Sequence, residues 1–313
     1  METAARLIPF GGGKGGVGKT FLVANLATAL ARSGHKVLVV DGDLEGANLH
    51  TWVGVPRPPR SLADYAAGRE PDLRKLVVAT PVPHLALIAA TGGNSASPQP
   101  SRARRVELVQ ALREMPVDFV LLDLGAGTHP AVMDYFMVVD DGVVAITPEP
   151  TSVENAYAFL RAAFYRRVRL AMVSLDVRKV VTLAMDQRNE RGIHTPLDLL
   201  REIEAIDAEE GARFAEVVRA FRPRLVLNEV RSAEDIRLGF SMRSVCKKYF
   251  GIEAEYLGYV NHDEAARRAV RGRRPLALLD ERSDAAFYIE LIARKLAGRP
   301  AARAAARPAG GAP

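Results

Sequence analysis

Gly11 to Thr20 read Gly-Gly-Gly-Lys-Gly-Gly-Val-Gly-Lys-Thr, directly after a short apolar run, Leu7 to Phe10. Gly13, Gly18, Lys19 and Thr20 fill the spacing G-x-x-x-x-G-K-[ST], a loop that wraps phosphate between a strand and a helix. Glycines at this density, with Gly15, Gly16 and Val17 completing the cradle, let backbone N–H groups turn inward onto an anion. Lys19 then reaches the β- and γ-phosphates, and the Thr20 hydroxyl ligates Mg²⁺. The helix that follows points its positive end at the same charge. A second lysine, Lys14, sits directly after Gly13, and phosphate wrapping alone does not need it.

Further polar residues stand where strands should end. Asp41-Gly42-Asp43, followed by Asn48, closes the apolar run from Lys36, and α/β proteins place ligand groups at such strand ends. Four apolar residues lead from Asp118 to Asp123, with Gly125 and Gly127 just beyond. Thr147-Pro148-Glu149-Pro150-Thr151 forms a turn after another apolar run. In Val226-Leu-Asn228-Glu-Val230, the Asn228 amide can donate and accept hydrogen bonds together. The other reading of Asn228 is a turn residue at a strand end. The histidines, among them His35, His50 and His129, lack metal-ligand spacing, so no metal is assigned to them.

Taken together, the two-lysine loop and the acids behind it resemble the MinD/ParA family of ATPases with the deviant Walker A motif. The Thr-Pro-Glu-Pro-Thr turn resembles the FlhG/FleN branch. So do Phe250-Gly-Ile, Tyr256-Leu-Gly-Tyr-Val, Asp263 to Ala269 and Arg273-Arg274-Pro275. The resemblance covers about Leu7 to Phe164 and Arg224 to Leu296. It implies a three-layer α/β P-loop NTPase fold, with a mainly parallel central sheet flanked by helices. ATP and Mg²⁺ are the implied cofactors. Lys14 is expected to act on the nucleotide of a partner subunit in an ATP-dependent homodimer. Asp43 would position the attacking water, and Asp41, Thr20 and Asp123 would form the magnesium shell. Pro148 and Asn228 are the expected contacts of the base. The implied activity is hydrolysis of ATP to ADP and phosphate. It would serve as a switch that positions a flagellum, division site or chromosome through an unidentified protein partner. Two rivals remain: a regulator that binds its partner stoichiometrically without needing hydrolysis, and an ATP-using amide ligase of the same fold class.

The rest of the chain bounds these readings. Its 313 residues, 48% hydrophobic and 26% charged, suit a large core. A single cysteine, Cys246, permits no internal disulfide and excludes the cluster-bearing Mrp-type and nitrogenase-reductase-type relatives. No secretory segment precedes the loop and no stretch has transmembrane length, so a cytoplasmic protein is expected. The formal net charge is +6. Arg267, Arg268, Arg271, Arg273 and Arg274 form a basic cluster, read either as a phosphate contact for non-specific DNA or as a solvated helix end.

Apolar runs alternating with helical patterns predict βαβ units over 1–297. Strands are expected at Leu7–Phe10, Lys36–Asp41, Leu85–Ala89, Phe119–Asp123, Val143–Thr147, Leu225–Asn228 and Tyr256–Val260. Helices are expected at Lys19–Ser33, Arg102–Glu114, Thr151–Phe164 and Ser283–Leu296. In the last, Phe287, Tyr288, Leu291, Ile292 and Leu296 read as a core-facing stripe. Pro9 is awkward in a strand, because it has no N–H to donate. Residues 166–223 are helical and foreign to typical family members, hence an insertion, either a partner-binding subdomain or a cover for the core. Thr91–Ser101 reads as a loop and 298–313 as a disordered tail. Arg299, Arg303 and Arg307 lack large apolar partners, so a membrane-binding tail helix is not expected.

Overall fold

A computed structural model describes residues 4–44, 46–90, 100–186 and 188–298. The loop expected at Thr91–Ser101 therefore lies mostly outside the described residues, as does the tail beyond Gly298.

The chain begins with β1 (Arg6–Gly11), α1 (Lys19–Arg32) and β2 (Val37–Asp41), followed by two short helices, α2 (Leu49–Trp52) and α3 (Leu62–Ala66). Next come β3 (Val78–Ala79), β4 (Leu85–Ile88), α4 (Arg102–Arg113), β5 (Phe119–Asp123), α5 (Pro130–Phe136) and β6 (Val143–Ile146). Four helices then run in succession: α6 (Pro150–Ala171), α7 (Leu175–Ala184), α8 (Pro196–Ile206) and α9 (Ala208–Ala220). The last elements are β7 (Arg224–Val230), α10 (Ala233–Phe250), β8 (Glu255–Asn261), α11 (Glu264–Gly272), α12 (Leu276–Leu279) and α13 (Asp284–Leu296).

The strands form one eight-stranded sheet in the order β3-β4-β2-β5-β1-β6-β7-β8. Among the described residues, only the β3–β4 pair is antiparallel. Both faces are covered, so the inner strands are continuously apolar, as a buried parallel sheet requires. Successive residues feed two cores. Leu38, Val40, Val120 and Leu122 pack with α4, α5 and α6 on one face. Val37, Val39, Phe119 and Leu121 pack with α1 and α13 on the other. Sandwiched between sheet and α13, α1 is buried nearly all round, including Asn25. The Asn25 amide donates to Phe21 O at 2.7 Å and accepts the Leu276 N–H at 2.6 Å, which ties α1 to α12.

Pro9 fits for a simple reason. The Leu124 N–H donates to Phe10 O, so Phe10 faces β5 and Pro9 faces β6. Pairing with β6 starts only at Phe10, and the missing donor falls before that ladder begins.

Two expectations change. The helix expected to stop at Phe164 continues to Ala171, so position 166 lies inside α6. The Arg166, Arg167 and Arg169 run looks like a composition break, but Val168 keeps the 3.6-residue period and is fully buried. On α13 the core face is Ala285, Ile289, Ile292 and Leu296, whereas Phe287 is 38% exposed. Helices α7–α9 carry their own caps. Ser174 accepts from Val177 N, Thr195 and Asp198 form a capping box, and Asp207 accepts from Glu209 and Glu210 N–H groups. Buried Glu210 pairs with Arg213 and accepts the Val173 N–H at 2.9 Å, fastening α9 to the start of α7.

Candidate functional site: a phosphate loop at the carboxyl ends of the strands

The loop between β1 and α1 lies at the carboxyl edge of the sheet, beside the ends of β2 and β5. Two of its glycines are demanded by packing. A Cβ on Gly13 would sit 1.9 Å from the Asn155 carbonyl oxygen of α6. Gly18 caps α1 with φ 87, and a Cβ there would sit 2.2 Å from Asn228 Nδ2. No acidic side chain occupies the first turn of α1, so its N-terminus is left for an anion. The loop is braced from the segment after β5, where the Gly127 N–H donates to Gly12 O at 3.1 Å.

Lys19 is 8% exposed, and burial lowers its pKa against the opposing pull of Asp123 and Asp43. Asp41 and Asp123 are buried at the ends of neighbouring strands, paired in register. Burial drives the Asp41 pKa well above the usual carboxylate range, and the Asp123 charge adds to it. Asp41 Oδ1 accepts the Asp43 N–H and Oδ2 accepts the Leu49 N–H, both at 3.2 Å, so Asp41 holds the segment carrying Asp43 against the strand end. Burial also pushes Asp123 up to about 7, even though the Thr20 hydroxyl bonds it and Lys19 lies close. Its Oδ1 is buried without a hydrogen-bond partner among the described residues.

An orphaned carboxylate oxygen beside a hydroxyl, at the mouth of a phosphate loop, fits a hard cation such as Mg²⁺. Among the described residues no cluster of three or more His, Cys, Asp or Glu could hold a metal alone. This agrees with an ion that keeps waters and shares substrate phosphates.

A cavity of about 390 Å³ opens from this point, with Gly16, Lys19, Thr20 and Asp43 at one end. Its other end is built from distant segments: Trp52 on α2, Asn228 and Glu229 on β7, and residues flanking and within α11. Asn228 is 4% exposed, and its Nδ2 donates to Val17 O at 3.1 Å, linking the β7 end to the loop. Glu229 adopts φ 60, an uncommon conformation for a side chain of this size. A β-bulge between Leu227 and Val230 turns this pair out of the ladder.

Gly15, Gly16, Gly18, Lys19, Thr20, Asp43 and Asn228 line one cavity, and Asp41 and Asp123 stand at the strand ends beside it. Pro148 lies between β6 and α6 and is not among the residues lining the cavity. Lys14 points away from the cavity of its own chain. Its Nζ lies 3.3 Å from Glu149 Oε2 and 3.0 Å from Thr151 Oγ1. Trp52 and His262 carried no signal in sequence, and Asp263, quoted there for the resemblance alone, also lines the cavity. Arg267, read as part of a basic cluster, also lines the cavity and pairs with Glu264 at 3.2 Å. His129 lies beside Asp43 and Gly125 in a neighbouring cavity and caps α5, accepting the Ala131 N–H.

Comparison with known proteins agrees with this geometry. A family model described as the CobQ/CobB/MinD/ParA nucleotide binding domain matches residues 8–276. The antiactivator FleN of Pseudomonas aeruginosa is 25% identical over 298 residues, 94% of this chain and 87% of FleN. The flagellum site-determining protein YlxH of Helicobacter pylori is 32% identical over 160 residues, half of this chain and 53% of YlxH. Among solved structures, the septum site-determining protein MinD of Pyrococcus horikoshii, complexed with Mg-ADP, superposes with a TM-score of 0.65. That match covers 93% of this chain and 96% of MinD at 20% identity, a likeness of fold. With the family model spanning residues 8–276, most of its length and the phosphate loop included, the chain belongs to the CobQ/CobB/MinD/ParA nucleotide-binding family.

Proposed function

We propose that the chain is a Mg²⁺-dependent ATPase that pairs with a second copy when ATP is bound and separates after hydrolysis. The observation that carries this reading is the partnerless Oδ1 of Asp123, buried beside Thr20 and Lys19. Thr20 and Asp123 would hold the ion, which supplies neutralising charge for the β- and γ-phosphates. Lys19 and the loop N–H groups bind those phosphates. Asp43, held by Asp41, positions the water. Phosphoryl transfer needs positioning and charge rather than covalent help from the protein.

Lys14 supplies the missing positive charge in trans. Within one chain it rests on Glu149 and Thr151, so a single copy lacks it at its own site. We expect Lys14→Ala to leave ATP affinity unchanged and to lower turnover by about 10³-fold. Calorimetry and phosphate release measure the two, and unchanged turnover would end the dimer mechanism. The likeness to YlxH, a flagellum site-determining protein, supports a role in positioning a cellular machine, the flagellum first. The description of FleN as an antiactivator supports a second reading, a regulator that binds its partner stoichiometrically while ATP sets its conformation. Partner affinity that survives in Asp43→Ala, with hydrolysis lost, would favour that reading.

A further inference from the structure

Helix α7 is apolar on two sides. Val177, Val180, Val181 and Ala184 pack into the core, as one face of a surface helix should. Leu175 and Leu183, two turns apart on the outer side, are nevertheless 70% and 37% exposed. They line a shallow groove of about 800 Å³, whose opposite wall is the last turn of α6, with Leu170 at 49% exposure. Val173 and Met185 extend the patch at 66% and 41% exposure. Contiguous apolar surface of this kind marks an interaction site rather than ordinary scatter.

The charge around it has a sign. Arg169, Arg178 and Lys179 line the groove against one acid, Asp186. Lys179 pairs with Asp176 at 2.9 Å, but both side chains are more than 70% exposed, and such a pair is worth little. Arg169 has no hydrogen-bond or ion-pair partner among the described residues.

We infer that this groove is the docking site for an acidic amphipathic helix of a protein partner. Leucine-class side chains at i, i+3 and i+7 would fill it, and carboxylates on the flanks would meet Arg169, Arg178 and Lys179. The ten-residue α7 offers a track of about 15 Å, close to three turns of a bound helix. The groove also has a rigid link to the phosphate loop. Helix α6 runs unbroken from Pro150, between the two residues that hold Lys14, to Leu170 in the groove wall. This link rests on the proposed role of Lys14; the docking itself does not.

The test uses the full chain and two labelled helical peptides of about 18 residues, identical in their leucine stripe, one flanked by Glu and one by Lys. Fluorescence anisotropy should give binding of the Glu peptide and affinity weaker by about tenfold or more for the Lys peptide. Leu175→Asp should abolish binding while ATP affinity is unchanged. Leu175 is the first residue of α7, where an acid suits the helix dipole, so the fold should survive. Equal binding of both peptides, or binding of neither, would overturn the proposal. So would Leu175→Asp removing self-association in sedimentation, or binding to phosphatidylserine vesicles, while sparing the Glu peptide. Those results would assign the groove to a second copy or to a membrane. Failure of the ATPase reading would instead appear as absent ATP binding in the unaltered protein, and the peptide result would stand apart from it.

Discussion

The two ends of the nucleotide cavity are built on opposite terms. The phosphate end is made of consecutive residues, a helix N-terminus and charges buried against neighbouring strands. The base end is assembled from α2, the bulged end of β7 and the region of α11, which share no sequence proximity. One end is fixed by packing that leaves no room for a side chain at Gly13 or Gly18. The other is a meeting of separate elements with partly exposed side chains, where small adjustments are affordable.

The largest effect should follow from adding one methyl group to the rigid end. In Gly13→Ala the new Cβ meets a backbone oxygen, which cannot rotate away. We expect a cost of about 3 kcal/mol or more in stability, with nucleotide binding lost, as measured by thermal unfolding and calorimetry. A Gly13→Ala protein that still binds Mg-ATP normally would mean that the loop and α6 can part, and the contrast would fail.

An intermediate effect should come from pH. Burial pushes the Asp123 carboxyl up to about 7 in the folded chain, against an ordinary 3.8 when unfolded. The folded state thus holds the proton more tightly, so this contribution is full below about pH 4 and is lost as pH rises through about 7. Without nucleotide, the melting temperature should fall by several degrees between pH 5 and pH 8, and Asp123→Asn should flatten the trend. A profile that rises over this window would contradict the burial of an unpaired carboxylate there.

The smallest effect belongs to the adaptable end. Glu229→Gly relieves the positive φ and should raise stability by about 0.5–1 kcal/mol, while nucleotide affinity changes only severalfold. A large affinity loss would show that Glu229 reads the ligand directly and that this end is as exacting as the other.

The same contrast explains what was legible in the sequence. Gly13, Lys19, Thr20, Asp41 and Asp123 were readable because their chemistry depends on local spacing and on ends of apolar runs. The strands at Val37–Asp41 and Phe119–Asp123 were equally plain, being apolar on both faces. Trp52 and His262 were not readable, since only the sheet order brings them to one cavity. The Lys14 contact with Glu149 spans 135 residues and leaves no periodic trace. The end of α6 was misplaced because three arginines mask a helical period that Val168 continues.

The strand order also governs when the site can exist during synthesis. β1 carries the phosphate loop, yet its neighbours are β5 and β6, and the strand made next, β2, never touches it. A growing chain must expose its first strand unpaired until Asp123 has left the ribosome. Nucleotide therefore cannot template the early steps of folding, and it rewards only a chain whose central strand has been threaded into place.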